Sequence, residues 1–161
     1  MKQSFAGYDE VDAVKKQLAS LMQSNLPADV VAQAKTLDAS LTKIGGVMPP
    51  PGGGGGGANR RPPDLNAMQS FAELNNSYNT MVSMIQVGLD MAPTPTQIAT
   101  WESDCANYNR TLAAWKGMRQ QIKDFNAVLT KNNLQELNVP TTRLTNASCS
   151  SNSEQNGKVN K

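Results

Sequence analysis

The sequence predicts an all-α protein of two antiparallel helical hairpins in a four-helix arrangement, joined by a linker rich in proline and glycine and followed by a disordered tail. Apolar residues recur three and four positions apart in four segments, which is the period of an amphipathic helix. The connection inside each hairpin is only a few residues long, and short connections make neighbouring helices antiparallel. No segment has a strand pattern long enough for a sheet; a strand at 136–139 is the weak alternative and would have no partner.

The first hairpin is expected over residues 8–45. Helix one, about 8–23, has acidic residues in its first turn, where the helix dipole favours negative charge. Helix two, about 27–44, begins near Pro27 and stops at two glycines. The acidic residues are Asp9, Glu10 and Asp12, and the apolar rows are Val11, Val14, Leu18 and Leu21 in helix one and Val30, Ala34, Leu37, Leu41 and Ile44 in helix two.

The second, longer hairpin is expected over residues 64–133. Helix three covers about 64–91. Helix four covers about 95–131, with Thr94 as a candidate N-cap and Pro95 at the first helical position. The row of helix four keeps a heptad spacing over several turns. The apolar rows are Phe71, Leu74, Tyr78, Met81 and Ile85, widened by Leu65, Met68 and Leu89, in helix three, and Ile98, Trp101, Cys105, Tyr108, Leu112, Trp115, Ile122 and Leu129, with Met118 and Phe125 beside them, in helix four.

The linker, residues 46–63, holds six consecutive glycines between two proline runs. A phosphate-binding loop needs Gly-Lys-Ser/Thr after a buried strand, and neither feature is present. The arginines between prolines in "RRPPDL" could be a ligand for a proline-recognition domain. A flexible spacer is the favoured interpretation, with a root-mean-square reach of roughly 20 to 25 Å that lets the two hairpins meet.

The tail, residues 134–161, loses the helical pattern. The stretch "LQELNVPTTRL" could lie along the hairpin in extended form, whereas the polar stretch from Thr145 onward is predicted to be disordered. Cys149 lies in this stretch. A disulfide from it to Cys105 is within reach but has no further support, and the register of Cys105 favours a small buried residue.

The composition excludes several classes of function. Fifteen Lys and Arg balance thirteen Asp and Glu without a basic block, so no nucleic-acid partner is expected. The absence of His removes the commonest general base and a leading metal ligand. No apolar run follows the basic start as in a signal peptide, and none approaches the length of a membrane span. We therefore expect no cofactor, no metal site and no catalytic residues. Asn-x-Ser/Thr triplets at Asn75, Asn109 and Asn146 are taken as chance occurrences in an Asn-rich chain.

One candidate interaction face remains, formed by Trp101, Tyr108 and Trp115 on one side of helix four. Such a face could bind a glycan or a stacked base. The same residues are in register with Leu112 and Ile122, so a place in the core is favoured. The carboxylates, among them Glu102 and Asp104, are expected on solvated faces.

The order of these features resembles the C-terminal helical region of bacterial sortilin-like proteins, whose neuraminidase (Asp-box) repeats form β-propellers described as glycosyl hydrolases. The residues that carry the resemblance are "VDAVKKQLASL", "AKTLDASLTKIGG", "LDMAPTPTQIATWESDC", "LAAWKGM" and "DFNAVLTKNNLQEL". The chain has no Asp-box pattern, so no propeller residue is carried over to it.

The resemblance implies a non-catalytic helical appendage, or a fragment, of a larger parent that is exported to the periplasm or beyond. The expected partner is a protein or the parent β-propeller, with self-association as a further possibility. Without a signal peptide the chain as it stands would be cytoplasmic. The alternative is a small glycan-binding or hydrolase-associated module that uses the aromatic face of helix four.

Overall fold

The structure is a computed structural model that describes residues 2–48, 67–87 and 92–149, and within them the side chains of all but 84–87. The described residues form four helices and no strand, which confirms the all-α class. The helices are α1 (Lys2–Met22), α2 (Ala28–Gly45), α3 (Phe71–Val87) and α4 (Pro95–Lys131).

Helices α1 and α2 pack side by side in opposite directions. The Lys15 ammonium donates to the Thr42 hydroxyl at 2.7 Å, and Gly45 lies against Val11. Helix α1 begins six residues earlier than its apolar row predicts. The early turns include Gly7, where a side chain would collide with the ring of Phe71 from α3. This glycine therefore marks a close approach of two helices and not a helix end.

Helices α3 and α4 are also antiparallel over the described residues. Thr111 donates to the carbonyl of Gln69, and the rings of Phe71 and Tyr108 lie 6.4 Å apart. Helix α3 begins at Phe71 and not near residue 64. Its start is fixed by a reciprocal cap, because Glu73 Oε2 accepts from Ser70 N at 2.7 Å and Ser70 Oγ accepts from Glu73 N at 3.3 Å.

The start of α4 follows the sequence prediction. Thr94 is the N-cap, Pro95 is the first helical residue, and a capping box joins Thr94 to Gln97. The first half of α4 bonds α3, where Ser77 donates to Asp104, and its second half lies against α2, where Leu37 and Phe125 line the same cleft. One shared core results. Its buried apolar residues are Val11, Val14, Leu18, Val30, Ala34, Leu37, Leu41, Ile44, Phe71, Leu74, Tyr108, Leu112, Trp115, Met118, Ile122, Phe125, Leu129 and Leu137.

The end of α2 meets the start of α3. Gly46, which has a positive φ of 74°, lies so close to Ser70 and Ala72 that a Cβ there would collide with both side chains. The reach of 20 to 25 Å expected of a spacer is therefore not needed to join the two hairpins. The glycine tract itself lies outside the described residues.

Residues 134–149, here called the strap, run extended along α1 and α4 after a turn at Asn133, whose φ is 55°. Leu137 is buried, and Val139 and Leu144 pack on the core. The stretch "LQELNVPTTRL" thus lies along one helix of each hairpin, α1 and α4, and not along the second hairpin alone. The prediction of disorder from Thr145 is wrong for 145–149, because the helices hold this stretch; residues 150–161 lie outside the described part.

Candidate functional site

The candidate site is the groove between α1 and α4, and its centre is the buried carboxylate of Glu10. One oxygen, Oε2, accepts from the indole N–H of Trp115 at 2.6 Å and from the guanidinium of Arg119 at 2.5 Å. The other, Oε1, accepts from the backbone N–H of Thr142 at 2.8 Å. The Glu10 side chain is 2% exposed, so these donors replace water around a buried charge.

Arg119 connects this carboxylate to the strap. Its guanidinium lies 5.5 Å from the ring centre of Trp115 and donates to the carbonyl of Pro140 at 3.3 Å. The arginine side chain is 28% exposed. The cluster therefore ties α1, α4 and the strap together through one ion pair.

Amide side chains hold the strap backbone along the rest of the groove. Asn126 accepts from Leu137 N and donates to Leu137 O, both at 2.8 Å. Gln17 makes the same two bonds to Asn138, at 2.8 and 2.9 Å. Asn109 makes them to Ala147, at 2.8 and 3.0 Å. Each amide thus replaces the strand neighbour that an extended backbone would otherwise need.

The spacing of these side chains matches the strap. Gln3, Glu10 and Gln17 are seven residues apart on α1, a rise of about 10 Å per step. Their strap partners are Thr145, Thr142 and Asn138, three or four residues apart, which is about 10 to 13 Å of extended chain. The strap therefore runs antiparallel to α1 in a fixed register.

A disulfide closes the far end of the strap. Cys105 of α4 and Cys149 are bonded, with their Cα atoms 5.5 Å apart. Cys105 is buried as its register predicts, but it is half of a cross-link and not a free thiol. The pairing that the sequence left open is thus present.

The strap also covers one side of a small cavity of about 230 Å³ lined by Lys2, Gln3, Ser4, Tyr78, Tyr108 and Ala147. The Tyr108 hydroxyl lies 2.8 Å from Gln3 Oε1 and 3.1 Å from the Thr145 carbonyl, and it can donate to either. Burial, with a smaller contribution from the charge of Glu10, raises the pKa of Tyr108. Burial and the nearby Asp104 raise the pKa of Tyr78 to about 12, so both tyrosines keep their hydroxyl protons at neutral pH.

Asp104 is a second buried carboxyl group, 3% exposed, and its position contradicts the expected solvated face. The Ser77 hydroxyl donates to it at 2.5 Å. Burial raises the pKa of Asp104, and the hydrogen bond from Ser77 only partly opposes this. Asp104 therefore joins α3 to α4 through Ser77, and its burial disfavours the ionised carboxylate.

The three residues of the predicted aromatic face lie in different environments. Trp115 is fully buried and Tyr108 is 3% exposed, whereas Trp101 is partly exposed. Two of the three therefore belong to the core, which was the favoured interpretation, and only Trp101 offers surface to a ligand.

Sequence reasoning missed the residues that hold the strap. Glu10 was placed in a first turn, but α1 begins at Lys2, so Glu10 lies in mid-helix and faces inward. The signal was the seven-residue spacing of Gln3, Glu10 and Gln17 beside an apolar row. The asparagines of the three Asn-x-Ser/Thr triplets differ in exposure: Asn75 is fully buried, Asn109 is partly exposed and bonds the strap, and Asn146 is exposed.

Residues 2–48, 67–87 and 92–149 contain no group of three acidic or cysteine side chains placed to hold a metal ion. None of their helices is both long and apolar enough to cross a membrane. Comparison of the chain with protein-family models, curated proteins and solved structures found no match.

Proposed function

We propose that the chain is a non-catalytic helical module that packs against a protein partner or a larger parent domain. The observation that carries the proposal is that the polar side chains of the groove are occupied by one another and by the strap. Glu10, Trp115 and Arg119 bond one another and the strap, and Asn109, Asn126 and Gln17 bond the strap backbone. These groups maintain the shape of the domain, which is what a binding or structural module requires.

The surface that we assign to the partner lies at the end of the second hairpin, beyond the shared core. Ile98 is 38% exposed and Trp101 is partly exposed on α4, and Met81 and Val82 are partly exposed on α3. Apolar side chains grouped in this way are typical of a docking surface. The alternative of a glycan site on the aromatic face loses support, because Tyr108 and Trp115 are buried.

The parent that we propose is an exported sortilin-like β-propeller protein. The disulfide supports export, since such bonds form and persist in oxidising compartments. This part of the proposal has a direct test in the DNA upstream of Met1. An in-frame propeller would support it, and an unrelated reading frame would reject it.

The docking surface is tested by the pair Ile98→Asp and Trp101→Ala, with Thr100→Ala as the matched control on an exposed position of the same helix. We expect the unchanged chain to bind an apolar dye and to self-associate on sedimentation. The pair should reduce both effects, and the control should not. A compact monomer that binds no dye would rule the proposal out.

A further inference from the structure

The groove between α1 and α4 has the construction of a peptide-binding site that the chain fills with its own strap. We propose that this groove accepts the same segment, residues 134–149, from a second copy of the chain. This concerns a different face from Ile98 and Trp101, so it can fail while the proposed function holds, and the reverse is also true.

The contacts in the groove are those of peptide recognition. The amides of Asn109, Asn126 and Gln17 bond the N–H and C=O of strap residues, which any extended segment offers. Apolar contacts add selectivity, because Leu137 is buried and Val139 and Leu144 pack on the core. Main-chain bonds that give affinity and side-chain pockets that give specificity are the features of extended-peptide recognition.

Within the described residues, two covalent connections join the strap to the helices. One is the turn at Asn133, which reverses the chain after α4 with a positive φ of 55°. The other is the Cys105–Cys149 disulfide. When the disulfide is reduced, the strap is held by the groove contacts and by one turn that can open as a hinge. Exchange of such an element between identical chains needs no new contact.

The partner follows from the contacts. The one sequence whose fit to this groove is known is that of residues 134–149, in which Pro140 accepts from Arg119 and Cys149 reaches Cys105. A second copy carries this sequence and the matching groove. Its strap must compete with the attached one, whose effective concentration is on the order of 1 mM for a short flexible connection.

The test uses two full-length chains, Cys105→Ser and Cys149→Ser, one of them with a size tag. The first keeps the strap thiol and the second keeps the groove thiol. The chains are mixed reduced, at about 1 mM, and then oxidised with glutathione disulfide. The two thiols give up two protons and two electrons as the protein disulfide forms, and glutathione disulfide becomes two glutathione thiols.

We expect a disulfide-linked heterodimer on a non-reducing gel. A free peptide of residues 134–149 carrying Cys149→Ser, added at the concentration of the chains, should lower this yield by about half or more, because it competes for the groove of the Cys149→Ser chain and cannot form the disulfide. A peptide of the same composition in scrambled order is the matched control and should leave the yield unchanged. Equal inhibition by the two peptides, or no heterodimer from chains that remain helical, would overturn the proposal.

A second measurement covers the case in which a cysteine variant does not fold. A labelled peptide of residues 134–149 is added to the reduced natural chain, which is then oxidised with glutathione disulfide. We expect the peptide to become attached at Cys105. The control is a peptide of scrambled sequence that ends in the same cysteine. If it is attached in equal amount, recognition by the groove is not the cause of the attachment.

Discussion

Removal of the disulfide between Cys105 and Cys149 should lower the stability of the fold by about 4 kcal/mol. The bond closes a loop with a sequence separation of 44 residues. In the chain-entropy description, a loop of this length removes about 13 cal/mol/K from the unfolded state, which corresponds to about 4 kcal/mol at 25 °C. For a chain of this size the loss corresponds to a fall in Tm of roughly 8 to 16 °C.

The assay is urea unfolding followed by the helical circular dichroism signal. Oxidised chain, reduced chain and Cys149→Ser are compared, with Ser148→Ala as a control at the neighbouring exposed position. Reduced chain and Cys149→Ser should unfold at the same lowered midpoint, and the control should match oxidised chain. The full loss is expected only if the strap unfolds together with the helices.

Hydrogen exchange separates the two ways in which this prediction could fail. The amide N–H of Ala147 lies near the disulfide and that of Leu137 lies far from it along the strap. If reduction exposes only Ala147 and leaves the urea midpoint unchanged, the end of the strap frays by itself. If the free energies of unfolding of the oxidised and the reduced chain agree within about 0.5 kcal/mol, the reasoning that the disulfide stabilises the whole fold is refuted.

Three further predictions concern single features of the fold. Glu10→Gln should destabilise the chain by about 2–3 kcal/mol in urea unfolding, below the roughly 3–5 kcal/mol of a fully buried pair because Arg119 is partly exposed; an unchanged midpoint would contradict it. Asp104→Asn should raise the urea midpoint at pH 7 but not at pH 3. The raised pKa of Asp104 in the folded state gives stability that is present below the unfolded-state pKa of about 4 and is lost as the pH rises through the folded-state pKa. Asp124→Asn, at an exposed position, is the control, and an equal dependence of stability on pH in the two variants would contradict the prediction. Replacement of residues 49–66 by six Gly/Ser residues should keep the fold and raise the free energy of unfolding by about 0.6 kcal/mol, because the loop between Gly46 and Ser70 becomes half as long. A loss of the helical circular dichroism signal would contradict this prediction.

The helices were predictable where local chemistry fixes them. Both ends of α4 agree with the sequence prediction, since Thr94 and Pro95 define its start. The start of α1 was missed because Gly7 interrupts the pattern, and the reason for that glycine is a ring of α3 far along the chain. The start of α3 could have been found, because "SFAE" is a capping-box pattern. It was missed because the apolar residues before this pattern were taken as part of the helix.

The groove could not be predicted, because its contacts join residues that are distant in sequence. Gln17 and Asn138 are 121 residues apart, and Glu10 and Thr142 are 132 apart. A single sequence shows that these residues are polar but not that they face one another. The same is true of Asp104, whose partner Ser77 lies on another helix.

The amide side chains of the groove follow from the way in which an extended segment lies against helices. An extended segment that lies on helices has no neighbouring strand to bond, because the backbone groups inside a helix already bond one another. Side chains can then supply both a donor and an acceptor, and the amides of Asn and Gln do this with two separate atoms that reach the C=O and the N–H of one residue. Asn126, Gln17 and Asn109 therefore act as replacements for a neighbouring strand. Since they are fixed on α1 and α4 and not on the strap, the groove keeps its recognition chemistry when the strap leaves.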